Sequence, residues 1–572
     1  MPTIITRGAA SAQALGYASS SAAVNYIEDV FSTYLYSGNS STQTITNGID
    51  LSGKGGLVWI KQRTGTFNHS LFDTSRGAGY VIQSNTVSPS NLNAITLTGF
   101  TSSGFSLLNS TAVNASSSDY ASWTFREQPK FFDVVTYTGD GAGSQPVAHN
   151  LGSAPGFILC KATSTSDNWA VYHRGNGTTE YTTLSLNLTT AAGFAGSLGT
   201  VNAATFNAAF VLDATGVQAN ASGVTYVAYL FAHNAGGFGL TGTDNVISCG
   251  SFTASGTGSA TVTLGYEPQF LLAKDTSTTG GWFMVDVMRG WTSGSYAGLF
   301  ANTSGAETAG GAYWTPTATG FQCFDACFPN NSNVIYIAIR RGPMKVPTDA
   351  TKVFTPIALN PPADSSQAVN FPVDLSIGAT RDASGTRSFT DRLRGYPTTN
   401  AAGSTPTLRI STNAESFTYP NIYAATNTSV KFGFDLSGQN IVEYFFRRAP
   451  GFFDEVCWTG TSADQTLTHN LTVAPELIIY KARGATSNWY TACAFTGSNY
   501  SNLQLNLTTA GSTVAYSGSG PFSAQPTTTQ FSVGQFYNTS TMVAYLFATV
   551  AGVSKVGSYT GTGTTQVINC GF

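Results

Sequence analysis

The chain has 572 residues, of which 42% are apolar and only 10% charged, with a net charge of −3. Single cores stop growing near ~250–300 residues, so this length calls for several domains. The basic residues form no run, which removes the electrostatic footprint of a nucleic-acid binder. No stretch approaches the ~18 consecutive apolar residues of a membrane helix, so membrane insertion is not expected either.

The first residues, Met-Pro-Thr-Ile-Ile-Thr-Arg-Gly, lack an apolar core ahead of a cleavage site, and no export signal is expected. Residues 1–40 lack the motifs that recur later. They are expected to attach the protein to a larger particle or to start an oligomer. The best candidate for a helix is Ala22 to Tyr36. From residue 41 onward the pattern is strand: Leu57-Val58-Trp59-Ile60, Phe157-Ile158-Leu159 and Leu477-Ile478-Ile479-Tyr480 are short apolar runs bounded by Gly, Asn, Ser and Thr. The many Tyr, Phe and Trp residues argue against disorder.

An internal repeat organises the rest. Phe131-Phe132-Asp133 returns as Phe452-Phe453-Asp454, 321 positions later. His149-Asn150-Leu151, Lys161, Asn168-Trp169, Leu186-Asn187-Leu188 and Val227 to Ala232 return in order as His469-Asn470-Leu471, Lys481, Asn488-Trp489, Leu505-Asn506-Leu507 and Val543 to Ala548. A shorter period lies inside: Pro155, Lys161 and Trp169 recur as Pro268, Lys274 and Trp282, each 113 later. The elementary unit is therefore about 100 residues, a usual domain size. The expected division is 41–129, 130–243 and 244–347, then a repeat of the first two at 348–450 and 451–556. Residues 557–572 repeat the opening of the third unit, with Cys570 lying 321 after Cys249. They are expected either to complete a neighbour as a strand or to begin an unfinished unit. The expected fold is all-β: tandem β-sandwiches of jelly-roll or concanavalin-like type in an elongated array.

Several residues could carry chemistry. Asp-x-x-Arg-Gly occurs at Asp73–Gly77, Asp286–Gly290 and Asp391–Gly395. It reads either as a recurring polar site, for a glycan for example, or as a turn whose carboxylate pairs with the guanidinium; the second reading is preferred because Gly after Arg is turn chemistry. His149 and His469 sit in matching His-Asn-Leu turns without a nucleophile motif, and a loop-supporting role is expected. The five histidines are scattered, and Cys323 and Cys327 form a lone CxxxC, so no metal site is expected. The seven cysteines are read as free thiols in a reducing cytosol. Asp140, Asp167, Glu180 and Asp213 have no counterparts in the fifth unit, so a glycosidase pair is not supported. Trp59, Trp169, Trp282 and Trp489 are read as core residues at related strand positions. No catalytic residue and no cofactor are assigned.

The string Tyr137-Thr-Gly-Asp-Gly, His149-Asn-Leu-Gly-Ser-Ala-Pro155, Asn168-Trp169-Ala-Val-Tyr-His173, Leu186-Asn-Leu-Thr-Thr and Asn220 to Ala232 resembles a repeat domain of uncharacterised function common in virion proteins of tailed bacteriophages, marine and cyanobacterial ones especially. The resemblance implies a non-enzymatic particle component that folds in the host cytoplasm and resides in the virion. A tail fibre or receptor-binding appendage is the first expectation. A head-decoration fibre and a polysaccharide-degrading spike are the alternatives. The implied partners are other virion proteins through the N-terminal segment, further copies of the chain (a trimer is the guess), and a host surface glycan.

Overall fold

In the computed structural model the described residues are 24–572, apart from 144, 177–181, 195–205, 213–216, 293–295, 311–312, 325–326, 361–364, 382–386, 396–406, 410–413, 416–421, 433–438 and 536–538. They form an all-β protein of five sandwich units with antiparallel sheets. Unit one shows the plan. Its strands are β1 (Phe31–Ser37), β2 (Gln43–Thr46), β3 (Gly56–Gln62), β4 (Ser70–Asp73), β5 (Tyr80–Val81), β6 (Asn91–Leu92), β7 (Leu97–Thr101), β8 (Gly104–Leu107) and β9 (Asp119–Arg126). The main sheet runs β1-β9-β3-β4 and the second sheet β2-β8-β7, with β5-β6 as a small hairpin.

The same register returns in every unit. The last strand lies between the first and the third, and one residue near its end faces a partner on each side. Phe125 faces Phe31 and Leu57, Phe231 faces Phe132 and Phe157, and Ile339 faces Ile247 and Phe270. Phe446 faces Phe354 and Leu375, and Phe547 faces Phe453 and Leu477.

Two boundaries differ from expectation. The first sandwich opens at Phe31, inside the segment read as an attachment piece, because β1 must flank β9 to complete the main sheet. Ala22 to Tyr36 is not a helix where it is described: Ile27–Asp29 is a single 3-10 turn and β1 follows directly. Burial along the first four residues of β1 alternates with period two (Phe31 and Thr33 buried, Ser32 and Tyr34 half-buried), which suits a strand. Residues 1–23 lie outside the described residues. At the other end, residues 557–572 are described without a strand.

The central strands of the main sheets in units one to three are buried on both faces, which explains their unbroken apolar runs. All seven residues of β3 are buried. Val58, Ile60, Phe72 and Tyr120 fill the interior of sandwich one. Their alternates Leu57, Trp59, Leu71, Trp123 and Phe125 point the other way, into a core shared with units two and three. Unit three divides likewise: Leu271, Phe283 and Val285 face inward, while Phe270, Trp282 and Met284 enter the shared core. The first three units are thus gathered about a common centre and not strung end to end. Phe125 is its hub, with ring contacts to Phe31, Phe132, Phe231 and Phe270 at 5.1–6.4 Å. Units four and five share a second core, through Leu375, Phe389, Leu408, Trp489 and Tyr545.

Candidate functional site

The three Asp-x-x-Arg turns have one geometry. In each, the aspartate accepts the backbone N–H of the arginine through one oxygen and its Nε through the other: 2.8 and 2.6 Å at Asp73, 2.9 and 2.6 Å at Asp286, 2.9 and 2.5 Å at Asp391. The arginine's Nη2 donates to a carbonyl of the same unit, Leu71, Met284 or Phe389. This is the turn reading of the motif. The structure adds what lies beyond it: each turn is pressed onto the last strand of another unit. The Tyr229 hydroxyl donates to Asp73 at 2.7 Å, the Trp123 indole to Asp286 at 3.0 Å, and the Tyr545 hydroxyl to Asp391 at 2.6 Å. Two of these seams carry a second carboxylate. Glu307 pairs with Arg289 and with Arg63 of unit one, and Glu415 pairs with Arg394 and with Arg483 of unit five.

The seams of units one to three form a closed cycle. Unit one seats on unit two, unit three seats on unit one, and unit two reaches unit three through the His173 Nε2 contact to the Tyr336 carbonyl at 3.0 Å. The tryptophans repeat the cycle in the opposite sense. Trp169 donates to the Gln83 carbonyl of unit one and Trp282 to the Ser185 carbonyl of unit two. The third member is His69, whose Nε2 contacts the Phe300 carbonyl of unit three at 3.1 Å. His69 therefore stands in unit one where units two, three and five have Trp. All four residues, His69, Trp169, Trp282 and Trp489, offer their backbone N–H to an equivalent asparagine. Trp59 belongs elsewhere, in β3, and donates to His69 Nδ1. The core reading of the tryptophans holds for burial, but the placement of Trp59 among them is corrected. In the second block Trp489 donates to the Arg409 carbonyl of unit four, as Trp169 does to unit one. The repeated lysines are buried too: Lys161 donates to the Val87 carbonyl and Lys274 to the Thr189 carbonyl, each in the preceding unit. Burial pushes Lys61, Lys161, Lys274 and Lys481 down to about 8.

His149 and His469 support loops. Their Nδ1 atoms accept from the N–H of Leu151 and Leu471, and their Nε2 atoms meet the carbonyls of Phe206 and Thr527. Asp140 caps a turn through the Ala142 N–H, and Asp167 accepts from the Asn168 N–H. Glu180 and Asp213 lie outside the described residues. All seven cysteines are free thiols. Cys323 and Cys327 lie close enough for their thiols to hydrogen-bond. Among the described residues no group of three or more His, Cys, Asp or Glu could hold a metal.

The sequence reading missed the junction between the two blocks. Arg448 donates to both oxygens of Glu267 in unit three, at 3.0 and 2.7 Å, and to Asp454 in unit five. Arg341 donates to Asp374 of unit four at 2.6 Å. Burial alone would raise the Asp374 carboxyl, but Arg341, Arg392 and Arg448 hold it below the usual range. Asn427 of unit four bonds both Leu35 N–H and the Thr33 carbonyl, covering the open edge of β1. The sequence signal was there: Arg340-Arg341-Gly-Pro343 and Arg447-Arg448-Ala-Pro450 follow equivalent strands. Beside this network Glu455 is buried, with no hydrogen-bond partner for either oxygen among the described residues. Burial pushes its carboxyl well above the ordinary value. Its equivalent in unit two is Val134 (both lie two residues after the Phe of the repeated Phe-Asp pair). Glu455→Val should therefore raise stability by about 1–3 kcal/mol at neutral pH, the cost of an unsatisfied buried polar group. Urea unfolding checks this, and an unchanged or lower midpoint counts against it.

One concave surface is not consumed by packing between units. In unit three, Phe283, Tyr296, Phe300, Tyr313, Trp314 and Phe328 line a cleft of about 490 Å³. Phe283 anchors it, stacking on Trp314 at 5.2 Å and meeting Tyr296 and Phe300 edgewise or tilted at 5.3 and 5.7 Å. Phe328 closes on Trp314 at 5.2 Å. Gly298 permits the packing, since a Cβ there would stand 2.8 Å from the Phe283 ring. Tyr313 and Phe300 remain exposed, while Trp314 and Phe283 form the buried floor. Asp275, Thr278 and Thr279 give the cleft a polar side. Aromatic walls with a few polar groups are the usual makeup of a small-ligand site. The sequence reading, which took the repeated tryptophans as core, singled out none of these residues; Tyr313-Trp314 has no repeat counterpart, and that departure from the repeat was the available signal.

A family model described as a domain of unknown function (DUF7483) matches residues 27–341 and 447–572. The first stretch begins at the 3-10 turn before β1 and ends with the third unit, so it coincides with the closed cycle. No curated protein matches the chain.

Proposed function

The chain belongs to the DUF7483 family, and from that premise we propose that it is a non-enzymatic structural protein of a bacteriophage particle, a tail fibre or similar appendage that meets a host surface glycan. The phage assignment rests on the sequence resemblance. The binding role rests on one observation, the aromatic cleft of unit three. Sugar rings present C–H faces that pack on exposed aromatic rings, while their hydroxyls take up polar groups at the rim. The recurring polar residues are otherwise engaged. The three Asp–Arg turns, Glu307 and Glu415 bind unit to unit, which is the work of a scaffold.

Purified protein should block adsorption of the phage that carries it, and host lipopolysaccharide or capsule oligosaccharide should change its tryptophan fluorescence. Tyr313→Ala should weaken that binding by roughly two- to tenfold, since a stacking aromatic contributes about 0.5–1.5 kcal/mol. The ring is exposed, so its loss should leave folding intact. A head-decoration protein would neither block adsorption nor bind the sugar. Sugar release on incubation would replace the binding role with a hydrolytic one.

A further inference from the structure

The second block repeats units one and two as units four and five, and it also repeats the surfaces on which unit three sits. In the first block Trp123 is wholly buried under the Asp286–Arg289 turn of unit three, with the guanidinium 5.2 Å from its ring centroid. The equivalent residue of unit four is Tyr444, two before the Phe446 that matches Phe125, and it is 40% exposed. Arg63 is buried against Glu307 of unit three. Its equivalent, Arg381, whose N–H bonds the Asn440 carbonyl as that of Arg63 bonds Asp119, is exposed. Unit five shows the same change. Leu184 and Leu186, 1% and 0% exposed, flank the Ser185 carbonyl that receives the Trp282 indole. Leu503 and Leu505, at the matching positions, are 39% and 43% exposed. Four positions on two units thus change from buried to exposed, and in the first block the residues around them are those that unit three contacts.

We infer that the face formed by Arg381 and Tyr444 of unit four and Leu503 and Leu505 of unit five is a docking surface for a β-sandwich unit of the third kind. The occupant brings an Asp-x-x-Arg turn that seats on Tyr444, a glutamate that pairs with Arg381, and a tryptophan that reaches the Gln504 carbonyl. The first block supplies the argument for this occupant, because unit three makes these contacts there with Asp286, Arg289, Glu307 and Trp282. The seam that unit four makes on unit five already copies that chemistry, with Asp391, Arg394, Glu415 and Arg483. Residues 557–572 repeat the lead-in to unit three, with Cys570 matching Cys249.

The test extends the full chain in the register of the repeat, adding residues 252–347 after Phe572. Amide hydrogen exchange is then compared with the 572-residue protein. Exchange at 441–446 and 503–507 should slow by roughly tenfold or more as these segments become covered. Arg381→Glu with Tyr444→Asp, both exposed positions, should reverse the protection while the added unit keeps its own. Three results would overturn the inference: a folded added unit with unchanged exchange at the face, an added unit that stays unfolded beside it, or self-association of the 572-residue chain that Tyr444→Asp abolishes, which would make the face a contact between copies.

Discussion

Arg394→Ala should cost the chain about 3–5 kcal/mol, the usual penalty for removing one partner of a buried ion pair. Both side chains of the pair are fully buried. The lost guanidinium binds Asp391, Glu415, the Phe389 carbonyl and the Tyr545 hydroxyl, so one truncation strips four partners. Asp391 would remain as a buried anion held by Tyr545 and a backbone N–H. The damage should be local to the seam between units four and five. Hydrogen exchange should therefore quicken at 541–547 and 388–391 before it changes in the first block. Asp391→Asn combined with Arg394→Ala should be less damaging than the two single losses summed, because the orphaned charge is gone. A single variant within 1 kcal/mol of the parent in urea unfolding would mean that the seam is held by packing of Phe389 against Trp489 (ring centroids 4.3 Å apart) and not by the ion pair.

The Asp–Arg turn was legible in the sequence because its chemistry is local: an aspartate, an arginine three later and a glycine define it wherever the chain is. Its partner was not. Tyr229 lies 156 residues from Asp73, Trp123 lies 163 before Asp286, and Tyr545 lies 154 after Asp391. Those distances follow from the order in which units seat on one another, and motif spacing within a unit carries no trace of it. The sandwich units were legible for the same reason as the turn, since alternation and bounded apolar runs are local patterns. The runs were also evidence for the shared core. A strand such as Gly56–Gln62, apolar at consecutive positions, must be covered on both faces, and one sandwich covers only one. The misplacement of Trp59 has a simple origin. Unit one substitutes His69 at the conserved-in-repeat Trp position and carries another Trp ten residues earlier, so matching by residue type selects the wrong strand. The first strand escaped notice because β1 precedes every repeated motif that marked the unit.

That same substitution makes the ring sensitive to acid. Burial pushes the His69 and His173 imidazoles down to about 3 and His233 down to about 4, and it lowers His149 and His469 as well. A base whose pKa falls on folding is charged more readily in the unfolded chain. Its contribution to stability is complete above the unfolded value near 6.5 and is lost as pH falls toward the folded value. All five histidines of the chain act in this direction. Glu307, which Arg63 and Arg289 hold below the carboxylate range against the raising effect of burial, loses its own contribution further down. Three carboxyls oppose them: burial, with Asp133 and Asp73 nearby, lifts Glu127 to about 7, and burial also raises Asp133 and Glu455, so the fold regains some stability as pH falls from 7 toward the ordinary carboxylate range. The five histidines outweigh these three groups, because His69 and His173 are each pushed down to about 3 and His233 to about 4. The net loss between pH 6.5 and 4 should be on the order of a few kcal/mol. It should appear first where His69 meets Phe300 and His173 meets Tyr336, the two seams that hold unit three in the ring. Urea midpoints at pH 7, 5 and 4, with hydrogen exchange at 296–300 and 333–340, measure both the size and the place. His69→Gln keeps an N–H for the Phe300 carbonyl without a titrating ring, and it should flatten the profile. A midpoint that stays level from pH 7 to pH 4 would show that the seams tolerate charged imidazoles and that the ring closes by its apolar centre alone.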